Sequence, residues 1–275
     1  MPETDASRIT SPSNPLIKRL RGLDRKKGRI ETGLFLAEGA RLVEQGLARG
    51  WRADTVLVGE SGAGRDHVRE LTKRAQQAGA RVEHVPDRLI SAISRKDNPQ
   101  TVIAAFEQRH PELTAAPASA EGIWIALYEV RDPGNLGTII RTADCAGMAG
   151  IVLIGTCCDL YSVETVRATM GSIFDVPVHA ASFADFDVWR REAGLTSVAA
   201  SVNGTVRHDQ AGMGSGTVIL MGNEQSGLPD DVEAACDTLA IIPMRGGADS
   251  LNLAQATAIM AYEAWRATGY GGSRT

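Results

Sequence analysis

Residues 123–147 read IWIALYEVRDPGNLGTIIRTADCAG. The first eight form a nearly unbroken apolar run, as expected of a strand buried on both faces of a parallel sheet. Pro133 and Gly134 then make a turn. Beyond it Leu136, Ile139, Ile140 and Ala143 fall at i, i+3, i+4 and i+7, the spacing of a helix laid on that sheet. The same spacing groups Thr138, Arg141 and Thr142 on another face, so Arg141 projects away from the core. Asn135, at the helix entrance, can cap free amides or bind a ligand. Strand-to-helix junctions of this kind are where open α/β sheets build their ligand sites.

Further apolar runs follow at GIVLIG (150–155), VPVHA (176–180), LTSVAA (195–200), TVILMG (217–222) and TLAIIP (238–243), with helical segments between them. Two of these runs end in glycine-marked segments. LMGNEQSGLP (220–229) leaves its strand at Gly222, where a cofactor can approach the backbone closely. Its Glu224 suits either a ligand or a helix start. IIPMRGGADSLNLA (241–254) ends a strand at Ile242, Pro243 and Met244, and Ser250 is the natural N-cap for an alanine-dense helix from Leu251 to Ala267. Met244 and Leu251 could line an apolar slot or simply fill a core, while Ser250 and Asn252 offer a hydroxyl and an amide beside them.

Upstream, EQRHPELTAAPASAEG (107–122) loses periodicity and gathers Pro111, Pro117 and Ser119, which reads as a linker. Before it, apolar runs at 56–59, 81–85 and 101–106 alternate with helical patterns around 36–49 and 66–79, giving a small α/β domain. The expected organisation is a domain over 1–108, a linker over 109–121 and a second α/β domain over 122–270.

The 275-residue chain is 43% hydrophobic and 23% charged, which is ordinary globular composition and long enough for two domains. MPETDASRIT has no basic segment followed by an apolar core, and no long apolar run exists, so a cytoplasmic location is the default expectation. Four cysteines without a CxxC pair are expected as unbridged thiols. Five scattered histidines and the absence of a zinc-helix motif argue against a metal site. PGNLG fails the dinucleotide fingerprint, and no P-loop is present.

Charge is unevenly placed. Residues 1–110 hold 20 Lys and Arg against 14 Asp and Glu, and the remainder 9 against 19. Between Arg8 and Arg29 stand Lys18, Arg19, Arg21, Arg25, Lys26, Lys27 and a single acid, Asp24. Such a stretch is either a solvated helix face or a surface that attracts a phosphate backbone.

The three segments together resemble the SpoU, or TrmH, family of RNA 2′-O-ribose methyltransferases in the SPOUT superfamily. N-x-G-x-x-x-R stands as Asn135, Gly137 and Arg141; G-x-E-x-x-G as Gly222, Glu224 and Gly227; and I-P-M followed by S-L-N as Ile242, Pro243, Met244, Ser250, Leu251 and Asn252. VRATMGSIFDVPV (166–178) resembles the family's central segment, and the likeness covers about residues 122–267. SPSNPLIKRLRGL and GLFLAEGARLVEQGL (33–47) resemble the L30e-like substrate-binding domain that precedes some members.

The resemblance implies a parallel α/β sheet with a deep C-terminal trefoil knot, a homodimer, and S-adenosylmethionine as cofactor. It implies Gly222, Ile242, Met244 and Leu251 around the cofactor, and Asn135, Arg141, Glu224, Ser250 and Asn252 around the reacting ribose. It makes Lys18, Arg19, Arg21, Arg25, Lys26 and Lys27 RNA contacts and leans toward 23S ribosomal RNA. The alternatives are a tRNA 2′-O-methyltransferase and a noncatalytic RNA-binding protein of the same fold.

Overall fold

A computed structural model describes residues 9–94, 100–116 and 121–273. Arg8 of the basic stretch, and Pro117 and Ser119 of the expected linker, lie outside the described residues. In chain order the elements are α1 (Pro15–Gly22), α2 (Lys26–Thr32), β1 (Leu34–Glu38), α3 (Ala40–Ala48), β2 (Ala53–Gly59), α4 (Glu60–Ala63), α5 (Asp66–Gln77), β3 (Arg81–Val85), α6 (Asp87–Ser94) and β4 (Val102–Glu107). There follow β5 (Trp124–Tyr128), α7 (Pro133–Cys145), β6 (Gly150–Ile154), α8 (Val163–Ala168), β7 (Val178–Ala181), α9 (Phe183–Glu192), β8 (Thr196–Ala200), β9 (Val206–Arg207), β10 (Thr217–Met221), α10 (Asp230–Ala234), β11 (Thr238–Ile241) and α11 (Leu253–Ala267).

Two compact units emerge. One comprises Met1–Arg109 with Tyr161–Phe174, the other His110–Leu160 with Asp175–Thr275. The first carries a four-stranded sheet in the order β1-β4-β2-β3, antiparallel except for the β2–β3 pair. The helical pattern expected around 36–49 divides here. Its first residues extend as β1 and pair with β4, and Gly39, at φ 111°, turns the chain into α3.

Amphipathic spacing explains α1. Asn14 caps it by accepting from the Leu16 amide at 2.9 Å, Pro15 supplies the preset first turn, and Leu16, Ile17 and Leu20 are buried against Leu34, Leu36, Leu57 and Ile103. Lys18, Arg19 and Arg21 are left facing outward. Elsewhere in this unit Phe35 meets the rings of Trp51, Phe106, Tyr161 and Phe174, and the Trp51 indole donates to the Phe174 carbonyl at 3.1 Å. The stretch 161–174, remote in sequence, thereby closes the aromatic core of the N-terminal unit.

The second unit is a seven-stranded, wholly parallel sheet in the order β7-β6-β5-β10-β8-β11-β9. Alternation along β5 divides its side chains between the faces. Ile125 and Leu127 pack under α7 and α11 with Leu136, Ile139, Ile140, Ala143, Met260 and Ala264. Trp124 and Ala126 pack under α9 with Phe186 and Trp189. Burial of this order contributes roughly 1.5–3 kcal/mol for each large apolar side chain.

From β5 the chain steps to β6 and β7 on one side, and it later returns to place β10 on the other side of β5. That reversal is a topological switch point, with a crevice at the carboxyl ends of β5 and β10. The first and second motifs leave from those two ends. Among the described residues no helix is long and apolar enough to cross a membrane.

Candidate active site

At the exit of β5, Asp132 rather than Asn135 caps α7, accepting from the Asn135 amide at 2.6 Å. This releases the Asn135 side chain. Its Nδ2 donates to Glu224 Oε1 at 3.2 Å, and its Oδ1 accepts from Asn252 Nδ2 at 2.9 Å. Because a carboxylate can only accept, the Glu224 contact dictates which end of the Asn135 amide is nitrogen. Glu224 also accepts from the Arg131 amide at 3.1 Å and the Asp132 amide at 3.2 Å. The three motifs thus meet in one chain of hydrogen bonds, each with its polarity fixed by the one before.

Burial pushes the Glu224 carboxyl up, but bonds from its own backbone, the Arg131 amide, the Asn135 side chain and the Asp132 amide outweigh it. The group is held below its ordinary value of 4.5.

The third motif departs from expectation at its helix start. Asn252, not Ser250, caps α11, its Oδ1 accepting from Ala254 and Gln255 at 2.9 and 3.3 Å. A two-residue shift is physically reasonable, since Asn and Ser cap about equally well and Leu253 is the first residue of the buried stripe. Asn252 therefore ties the helix N-terminus to Asn135, and Ser250 stands exposed at the mouth of a cavity.

That cavity, of about 990 Å³, is lined by Asn135, Gly222, Glu224, Ile242, Met244, Ser250, Leu251 and Asn252, among others. Its size suits a small organic cofactor. Gly222 lines it and has a steric reason of its own to be glycine. A Cβ there would lie 2.4 Å from the Gly227 carbonyl carbon, so glycine is required by the tight Asn223–Gly227 bridge. Asn223, whose part spacing alone did not reveal, braces this loop to the first motif by donating from Nδ2 to the Glu129 carbonyl at 2.7 Å. Glu129 holds a left-handed φ of 49°, a local strain at the site's edge.

Arg141 stands apart from these residues. It lies on the exposed face of α7, six residues and about 9 Å of helix beyond Asn135, and is not part of the cavity wall. Among the described residues its side chain makes no hydrogen bond or ion pair. Sequence spacing also overlooked the far end of the cavity, where Ser201, Asn203 and Glu233 come together. Its signal was the polar Ser-Val-Asn-Gly at the exit of the LTSVAA run, in the same grammar as the other strand exits.

All four cysteines are free. Burial, then the charges of Cys157, Glu224 and Asp132, pushes the Cys158 thiol up to about 12, so it stays protonated beneath the site. No cluster of three or more His, Cys, Asp or Glu suited to a metal occurs among the described residues.

In the N-terminal unit, Lys18, Arg19, Arg21, Arg25, Lys26 and Lys27 are all exposed along α1 and the start of α2. Arg19 pairs with Asp54, and Lys27 approaches Glu31 at 3.8 Å. Arg29 differs. It is buried and donates to the Leu23 and Asp24 carbonyls at 2.7 and 3.0 Å, so this cation is structural.

Both halves of the chain match known families. Residues 122–262 match the family model described as the SpoU rRNA Methylase family, and residues 14–104 match an MRM3-like substrate binding domain. The chain is 32% identical to a 23S rRNA (uridine(2479)-2′-O)-methyltransferase of Streptomyces viridochromogenes, over 95% of this chain and 92% of that one. It is 28% identical to the 23S rRNA (guanosine(2553)-2′-O)-methyltransferase RlmP of Bacillus subtilis strain 168, over 92% and 97%. A crystal structure of an AdoMet-bound rRNA methyltransferase from Sinorhizobium meliloti superposes with a TM-score of 0.87 at 44% identity, covering 94% of this chain and 97% of that one.

Proposed function

Because this chain belongs to the SpoU rRNA methylase family, we propose that it transfers a methyl group from S-adenosylmethionine to a ribose 2′-hydroxyl of 23S ribosomal RNA. The observation that carries this is the hydrogen-bond chain Glu224–Asn135–Asn252, which joins the three motifs on the wall of a cofactor-sized cavity. Similarity over almost the full length to two 23S rRNA enzymes, one acting on a uridine and one on a guanosine, favours ribosomal RNA as substrate without selecting the base.

The cavity fits the cofactor on its own chemistry. Met244 and Leu251 are apolar side chains left 45% and 38% exposed on its wall, a surface suited to cover by a planar base. Gly222 and Ile242 complete that wall. When bound, S-adenosylmethionine supplies a methyl carbon on a cationic sulfur, already activated for displacement.

The protein's work is alignment and charge stabilisation. Glu224 uses its oxygens to orient Asn135 and the Arg131–Asp132 backbone, which makes it a positioning residue. Asn135 and Asn252 each keep one amide hydrogen beyond the bonds described, and these are the donors for a ribose oxygen that gains negative charge as it attacks. Ser250, at the mouth, adds a hydroxyl. Arg141, exposed and unpaired on the same helix as Asn135, grips the adjoining phosphate with its planar fork. It acts as a cation throughout, since a guanidinium with a pKa above about 12 keeps its proton. Lys18, Arg19, Arg21, Arg25, Lys26 and Lys27 hold flanking RNA through its backbone.

The same proposal includes a homodimer, the C-terminal trefoil knot and a cytoplasmic setting, with no metal in the reaction. Incubation with tritiated S-adenosylmethionine and separated ribosomal and transfer RNA tests it. Label should enter 23S RNA. Retention of RNA on the filter without label would instead mark a binding protein of the same fold, and label only in transfer RNA would reassign the substrate.

A further inference from the structure

The cavity has two polar ends, and the one remote from Asn135 is also built. Sheet order places β8 two strands from β5, about 10 Å at the usual strand separation. At its exit Ser201 Oγ donates to Glu233 Oε1, Asn203 Nδ2 donates to Glu233 Oε2 at 3.3 Å, and the Asn203 amide donates to Ser201 Oγ at 3.0 Å. The loop itself is pinned. Ser201 donates its amide to the Ala240 carbonyl at 2.9 Å, and Gly204 lies so close to β11 that a Cβ would meet the Ala240 carbonyl carbon at 2.6 Å.

Between Ser201 and Asn203, Val202 lines the cavity with 73% of its surface exposed. A bare branched side chain in a concavity, beside a carboxylate held by two donors, is a surface prepared for a molecule with an apolar face and hydroxyls.

We propose that Glu233, oriented by Ser201 and Asn203, accepts hydrogen bonds from the vicinal ribose hydroxyls of the S-adenosylmethionine nucleoside and so selects the cofactor. This rests on the methyltransferase reading above. Asn135 and Asn252 would face the methyl at the other end of the cavity, which leaves the β8 end for another part of the cofactor, and paired acceptor positions there suit the nucleoside's two hydroxyls. Each Glu233 oxygen spends one lone pair on the protein and keeps one, a pattern that matches two adjacent hydroxyl donors. A carboxylate on a ribose diol is a recurrent solution for nucleoside recognition. None of these groups touches the reacting atoms, so the effect falls on affinity.

Titration calorimetry with S-adenosylhomocysteine and its 2′-deoxy, 3′-deoxy and 6-desamino analogues tests the assignment. Wild type should bind the parent about tenfold tighter than either deoxy analogue, the scale of one lost charge-assisted hydrogen bond. Glu233→Gln should weaken the parent about tenfold and bind parent and deoxy analogues alike. Asn203→Ala, which only loosens the carboxylate, should give a smaller loss of the same discrimination. The wild-type comparison needs no variant and holds even if one fails to fold.

Undiminished preference for the diol in a folded Glu233→Gln protein overturns the proposal, as does loss of 6-amino discrimination in its place. Wild type that binds neither S-adenosylmethionine nor S-adenosylhomocysteine would instead remove the methyltransferase reading itself.

Discussion

Asn252 Nδ2 donates to Asn135 Oδ1 at 2.9 Å across 117 residues of sequence. One side chain thereby holds a helix end with its oxygen and the first motif with its nitrogen. These two duties can be separated. Asn252→Asp keeps the capping oxygen and loses the donor, whereas Asn252→Ala loses both. Urea unfolding should show Asn252→Ala destabilised by about 1 kcal/mol and Asn252→Asp close to wild type. Methyl transfer should fall by about a hundredfold or more in each, on the scale of a lost oriented donor. An active Asn252→Asp enzyme would show that the Asn135 link is only structural.

Glu224 gives a pH signature. Its carboxyl is held below 4.5 in the folded protein, so its contribution to stability is complete above that value and is lost as pH falls through the folded value. The stability difference between wild type and Glu224→Gln should therefore be flat from neutral pH down to about 4.5 and shrink below it. Chemical unfolding at a series of pH values measures this. A difference that grew on acidification would reverse the assignment.

For Arg141, exposed and outside the cavity wall, the expected outcome is a split. Arg141→Ala should lower methyl transfer by about a hundredfold or more while the Kd for S-adenosylmethionine stays within about twofold. Arg141→Lys should recover only part, because an ammonium lacks the planar fork. Equal turnover in Arg141→Ala would refute the phosphate-gripping role.

The N-terminal unit makes its own prediction. Arg167 donates to both Glu38 oxygens, the nearer pair at 2.7 Å, and to the Ser94 carbonyl at 3.1 Å, while the Glu38 side chain is only 2% exposed. Removing the guanidinium strips a buried carboxylate of its two-oxygen partner, which the Ser94 hydroxyl at 3.3 Å from Glu38 Oε2 does not replace in charge. Arg167→Ala should lose about 3 kcal/mol in urea unfolding, far more than Lys27→Ala, whose ion pair is exposed. Similar losses in the two variants would contradict this.

Much of this was legible in the chain. Each parallel strand expected from an apolar run is present within a few residues, and Leu136, Ile139, Ile140 and Ala143 are fully buried as their spacing requires. The meeting of the strand exits was legible too, because Asn135, Glu224 and Asn252 do converge. What escaped was the choice among equivalent local solutions. Asp132 and Asn252 took the capping roles that Asn135 and Ser250 could have filled, since caps are decided by which residue begins the buried stripe. Two-residue β9 is too short to show a period. The packing of Tyr161–Phe174 with Phe35 and Trp51 is a long-range pairing that no local pattern encodes. Likewise, the close approach of Gly222 to Gly227 shows only in space.

The most direct measurement is nucleoside mass spectrometry of 23S RNA after incubation with the purified protein and isotopically labelled S-adenosylmethionine. The proposed alignment of a ribose oxygen by Asn135 and Asn252, with Glu224 orienting Asn135, predicts one new nucleoside whose added methyl stays with the ribose when the base is released. A methyl that leaves with the base, or RNA that gains none while the protein binds the cofactor, would contradict it.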